Sequence, residues 1–89
     1  MRIFLHTKPA GRGEWLNTEE EFDGVPRAGD LVHRRRDGSA AVVSYVEWIA
    51  RGAGTTYQVE VYAIEVNATR FRTDAVRKTE HLVSELEGR

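Results

Sequence analysis

The chain contains no cysteine, which excludes a disulfide framework, a thiolate zinc site and a cysteine nucleophile together. Stability must then come from packing, and a reducing cytoplasm is the expected setting. Proline occurs only at Pro9 and Pro26, and methionine only at position 1. No charge sign dominates: 13 basic residues face 14 acidic ones, for a net charge of −1 and a pI near 6.3. That balance argues against a general polyanion binder. Lysine is scarce, since 11 of the 13 basic residues are arginine. The preference fits a GC-rich bacterial genome, and arginine also offers planar, bidentate donors where lysine does not. Long apolar runs are missing as well. Met1 to His6 is apolar for too few residues to be a secretory core, and no segment approaches the roughly 20 apolar residues of a membrane span. A soluble, unprocessed protein without a membrane partner is expected. At 89 residues the chain reads as one small domain, 1–89. A chain of this size buries about 60 to 65% of its unfolded surface, which leaves no room for a deep enclosed pocket.

Chemistry is equally sparse. Ser39, Ser44 and Ser84 stand in no nucleophile-elbow context, and His6, His33 and His81 fall on three different elements, so a histidine metal site would need them to converge in space. Gly11-Arg12-Gly13 is half of a nucleotide fingerprint, but no third glycine or helix pattern follows it. The carboxylates of Glu19, Glu20 and Glu21 diverge in direction and read as a solvated connector. No catalytic, cofactor-binding or metal-ligating residue is assigned, and no enzyme is expected.

What the sequence does contain is a hairpin pattern. Two apolar-rich segments, Ala41 to Ala50 and Thr55 to Val66, flank Arg51-Gly52-Ala53-Gly54. With those four residues as the loop, Trp48 faces Tyr57, Val46 faces Val59, Ser44 faces Val61 and Val42 faces Ala63. One sheet face is then almost wholly apolar, while Glu47 with Gln58 and Tyr45 with Glu60 lie on the other. Upstream, the alternation of Ile3 and Leu5 against Arg2, Phe4 and His6 predicts a first strand over Arg2 to Thr7. Glu14 to Asp23 is acidic, and Thr18 with Glu21 has capping-box spacing, which predicts a short helical turn tucking Trp15 or Leu16 and Phe22 against the sheet. Leu31 to Arg36 followed by Asp37-Gly38 predicts a second hairpin. With a two-residue loop, Leu31 and His33 share the Trp48 face, and Val32, Arg34 and Arg36 point outward; a three-residue loop exchanges the two sets. Asn67 to Asp74 is a polar connector with Phe71 as its apolar anchor. Ala75 to Leu86 then carries an apolar stripe at helical spacing, capped by Thr73 or Asp74 and stopped at Gly88.

The stretch Val25-Pro26-Arg27-Ala28-Gly29-Asp30-Leu31-Val32, leading into a short strand, a glycine turn and a longer valine-rich strand, resembles the opening of SH3-like small barrels, including KOW-type modules. The resemblance runs from Val25 to about Val66. It implies barrel geometry; the further glycines and basic loop of the KOW modules are missing here, so their nucleic-acid function is not carried over. The expected fold is mainly β, within the α+β class: a small antiparallel sheet or partly open SH3-like barrel with one C-terminal α-helix.

Three functional classes follow, the last of them a minor enzyme or ligand-binding role. The first is a small protein-binding or assembly module, of the size of an accessory protein of a bacterium or mobile element. Its interface is expected at Val76, Leu82, Val83 and Leu86, extended by Tyr45 and Tyr62 on the outer sheet face, and its partner is a protein, with a second copy of the chain slightly favoured. The alternative is a nucleic-acid binder using Arg34, Arg35 and Arg36 together with Arg70 and Arg72.

Overall fold

The computed structural model describes residues 1–50 and 58–88. Five strands form one sheet: β1 (Arg2–Lys8), β2 (Leu16–Glu21), β3 (Leu31–His33), β4 (Ala40–Trp48) and β5 (Val59–Glu65), followed by helix α1 (Ala68–Glu87). The strand order is β2-β1-β5-β4-β3. The fold is thus mainly β with one C-terminal helix, and the sheet curls into a half-barrel. All pairings are antiparallel except β1 with β5, which run parallel, Leu5 lying beside Val61 and Thr7 beside Ala63.

Period-two alternation selects the inner face. Ile3, Leu5 and Thr7 of β1, Val59, Val61 and Ala63 of β5, and Ala41 and Val43 of β4 are all buried. Val32 completes this core, with Phe22, Val25 and Val46 packed against it. The curl is visible in bonds that cross the concave side. β2 and β3 are the two edges of the sheet, yet a Glu20 carboxylate oxygen on β2 accepts the Arg35 backbone N–H, just after β3, at 3.1 Å.

Three local expectations are corrected. The first concerns Glu14 to Asp23, whose central part is strand β2, not a helical turn. Ile3 pairs with Glu20, Leu5 with Thr18 and Thr7 with Leu16, so sheet pairing with β1 overrides the local capping-box signal.

The second correction is of register in the central hairpin. Trp48 pairs with Val59 and Val46 with Val61, two residues from the expected match, and the register shifts between Val43 and Tyr45. An extra residue in one strand is the signature of a β-bulge. Past it Val43 faces Ala63, so Val43 and Ala41 are buried while Ser44 is exposed and Val42 only half-buried. Trp48 itself is 68% exposed at the strand end and is not a core residue. Its expected partner Tyr57 and the connector Arg51 to Gly54 lie outside the described residues.

The third correction lies in the β3–β4 connection. Leu31 pairs with Val42, Val32 with Ala41 and His33 with Ala40, so the loop runs from Arg34 to Ser39 instead of over two residues. Arg34 N–H donates to the Ser39 carbonyl and Gly38 N–H to the Arg34 carbonyl, both at 2.8 Å. Gly38 sits at φ 72°, where a residue with a side chain is strained. Val32 and Arg34 consequently point inward and His33 outward, the reverse of the two-residue expectation.

Candidate functional site

Helix α1 is built by a long stretch free of proline and glycine, 68–87. Asn67 caps it, its side-chain oxygen accepting the Arg70 N–H at 2.9 Å, and Gly88 N–H donates to the Ser84 carbonyl at 2.8 Å at the far end. The helix therefore begins seven residues before Ala75, and neither Thr73 nor Asp74 is its cap. Thr73 sits inside, its hydroxyl donating to the Thr69 carbonyl. No residue of α1 is buried. Val76, Leu82, Val83 and Leu86 are exposed, Leu82 by 58% and Leu86 by 77%. All four expected interface positions of the helix are thus exposed among the described residues.

The other two expected interface residues lie on the outer face of the sheet, within an aromatic ladder that crosses three strands. Tyr45 stacks on Tyr62 at 4.5 Å and 7°, and Tyr62 stacks on His6 at 4.4 Å. Phe4 tilts against His6 at 4.5 Å, and Trp15 meets Tyr62 edge-on at 5.4 Å. His6 is clamped on both sides: its Nε2 donates to Glu60 at 2.8 Å, and its Nδ1 lies 2.6 Å from the Asn17 oxygen. Glu47 and Glu60 pair across β4 and β5 on this face. Burial pushes the Tyr62 phenol above its ordinary value, and the carboxylates of Glu60 and Glu47 add to the shift. The roles of Phe4 and His6 follow from the strand alternation of β1; that of Trp15, just before β2, depends on the pairing of β2 with β1, which has no local signal. Beside this face, Val25, Pro26, Ala28, Tyr45, Val46 and Trp48 line an open groove of about 480 Å³.

The arginines separate into two groups. Arg34 is 5% exposed and lies inside the half-barrel: Nε donates to Asp37 Oδ1 at 3.0 Å and Nη2 to Asp37 Oδ2 at 2.7 Å, a bidentate pair. Its Nη1 donates to Thr7 Oγ1 at 2.6 Å and to Glu65 at 3.2 Å. Hydrogen bonding to Asp37 is the largest influence raising the Arg34 pKa, and the same bond holds the Asp37 carboxyl well below the usual carboxylate range. Arg34 is therefore structural and unavailable to a nucleic acid. Arg35, Arg36, Arg70 and Arg72 are exposed. Arg72 Nη2 lies 3.3 Å from His33 Nε2, which brings the start of α1 to the end of β3.

The three histidines have separate neighbourhoods. His6 is held by Asn17 and Glu60, His33 by the Gly38 carbonyl and Arg72, and His81 by Glu85 one turn along α1. Among the described residues no group of three or more histidines or carboxylates is placed to hold a metal ion. Among the described residues no helix is long and apolar enough to cross a membrane. Comparison with known protein families, curated proteins and solved structures finds no match to this chain.

Proposed function

We propose that this protein is a small, non-enzymatic assembly module, an SH3-like half-barrel acting in the cytoplasm, whose working surface is the exposed apolar face of α1. The observation that carries the reading is a 20-residue helix with no buried residue. An isolated helix of that length is marginal in water, and most helical stability in proteins comes from packing an amphipathic face. Val76, Leu82, Val83 and Leu86 therefore call for a protein partner, first of all another copy of the chain. Sedimentation equilibrium tests this on the wild type and on Leu82→Glu plus Leu86→Glu. A concentration-dependent mass that becomes a folded monomer supports the interface. A monomeric wild type whose double variant unfolds returns the helix to its own sheet and overturns the reading.

A second reading is supported by the position of Arg72 beside His33, which puts Arg70 and Arg72 at the end of the sheet from which the Arg35-Arg36 loop leaves. A nucleic-acid contact there would be dominated by phosphate and weaken with salt. Arg36→Gln plus Arg70→Gln should then reduce binding and its salt slope. No retention of wild type on heparin at low salt disposes of this reading.

A further inference from the structure

We infer that α1 pairs with α1 of a second copy in antiparallel orientation, centred between Glu80 and His81; this rests on the assembly reading above and adds its partner, direction and register. The first observation is the charge order along the helix. Residues 68–77 hold Arg70, Arg72 and Arg77 against one aspartate, whereas 78–87 hold Glu80, Glu85 and Glu87 against one lysine. No acidic residue occupies the first turn and no basic residue the last. This order opposes the helix's own dipole, which favours anions at the start and cations at the end. An antiparallel second copy reverses the penalty, laying carboxylates beside arginines and opposing the two dipoles. A parallel copy would set like charges side by side.

The apolar face gives the register. At 3.6 residues per turn, Ala75, Thr79, Leu82 and Leu86 form one seam, spaced four, three and four apart. About the proposed two-fold axis, Ala75 meets Leu86 of the second copy and Thr79 meets Leu82, a small side chain against a large one in each layer. In a parallel pair Ala75 would face Ala75 and Leu86 would face Leu86, leaving a gap and a crowded layer. Thr79 suits burial, because its hydroxyl already donates to the Ala75 carbonyl at 3.1 Å. Val76 and Val83, seven apart on one flank, meet each other across the axis. Lys78 and Glu85, seven apart on the other, form two symmetry-related ion pairs. The antiparallel arrangement also puts the two half-barrels at opposite ends of a helix about 30 Å long, clear of one another.

Lys78 and Glu85 are exposed, so charge reversal tests the register without disturbing the sheet. Lys78→Glu and Glu85→Lys, each alone, should weaken self-association by about tenfold or more in sedimentation equilibrium, because each turns two attractive pairs repulsive. The loss should shrink in 1 M salt. The double variant should recover the wild-type dimer, and an equimolar mixture of the two single variants should form a heterodimer. Near-ultraviolet circular dichroism verifies the sheet in each variant. A wild type that self-associates while the single variants are unaffected, or while the double variant fails to recover, overturns the antiparallel register and leaves assembly standing. A wild type that stays monomeric at every concentration removes both.

Discussion

At the scale of single residues, Arg34 decides most. In a run of three arginines nothing local distinguishes it from Arg35 or Arg36, and the run reads as a solvated strand end. Only the longer loop turns it inward, where Asp37, Thr7 and Glu65 gather around its guanidinium. Neutralising Arg34 is therefore not the mild change the sequence suggests. Breaking a fully buried ion pair costs about 3 to 5 kcal/mol, and because Asp37 and Glu65 remain partly in water a loss of about 2 to 3 kcal/mol is expected for Arg34→Ala. Arg36→Ala, on the exposed side of the loop, should stay within about 0.5 kcal/mol. Urea unfolding of the two variants checks the difference; equal losses would return Arg34 to the surface. The same pair predicts an acid limb. Asp37 is held below its ordinary pKa chiefly by the Arg34 hydrogen bond and next by the Ser39 N–H. A depressed carboxyl contributes its full stability above the unfolded value, about 3.9, and loses it as pH falls toward the lower folded value. Urea midpoints measured from pH 6 down to pH 2 should fall less steeply for Asp37→Asn than for wild type. An identical slope would assign the acid sensitivity to other carboxylates.

Among the secondary-structure elements, legibility follows how local the determining contact is. β1 is readable because its alternation lies within seven residues, and Ile3 and Leu5 are buried as that alternation requires. The turn before β3 is equally local, with Asp30 accepting the Arg27 N–H at 2.8 Å. β2 is not readable. Its acidic sequence favours solvent, and it becomes a strand only because β1 supplies an edge, with Glu20 drawn to 5% exposure by the Arg35 backbone. The bulge at Ser44 leaves no mark in the sequence, because an unpaired serine resembles any outward-facing strand residue. Parallel pairing of β1 with β5 joins segments more than 50 residues apart and has no local signal at all. These differences relocate the core from the Trp48 end of the hairpin to the β1–β5 junction. Leu5→Ala is expected to cost about 3 kcal/mol or more, since its side chain is fully buried between Thr18 and Val61. Trp48→Ala should cost under about 1 kcal/mol. A larger loss from Trp48 in urea unfolding would mean that the strand end is covered in solution.

The whole molecule is 55 Å long but only 26 by 23 Å across, which is the shape of a small half-barrel with a helix extending beyond it. The core contains no residue of α1, and among the described residues no side chain of the helix is buried against the sheet. The two parts should respond differently to dilution. Where the helix is stabilised by a second copy, mass action makes its stability depend on protein concentration. Helical ellipticity at 222 nm per residue should fall as the protein is diluted through its dissociation range, because a lone helix of this length frays. The near-ultraviolet signal from Tyr45 stacked on Tyr62, with Trp15 edge-on to it, should hold constant over the same range, since that ladder belongs to the sheet. Leu82→Glu plus Leu86→Glu should show the diluted spectrum at every concentration. Ellipticity that does not change with concentration would mean that α1 is stable without a partner. Loss of the aromatic signal together with the helix would mean that sheet and helix form one cooperative unit, and the assembly reading would lose its physical basis.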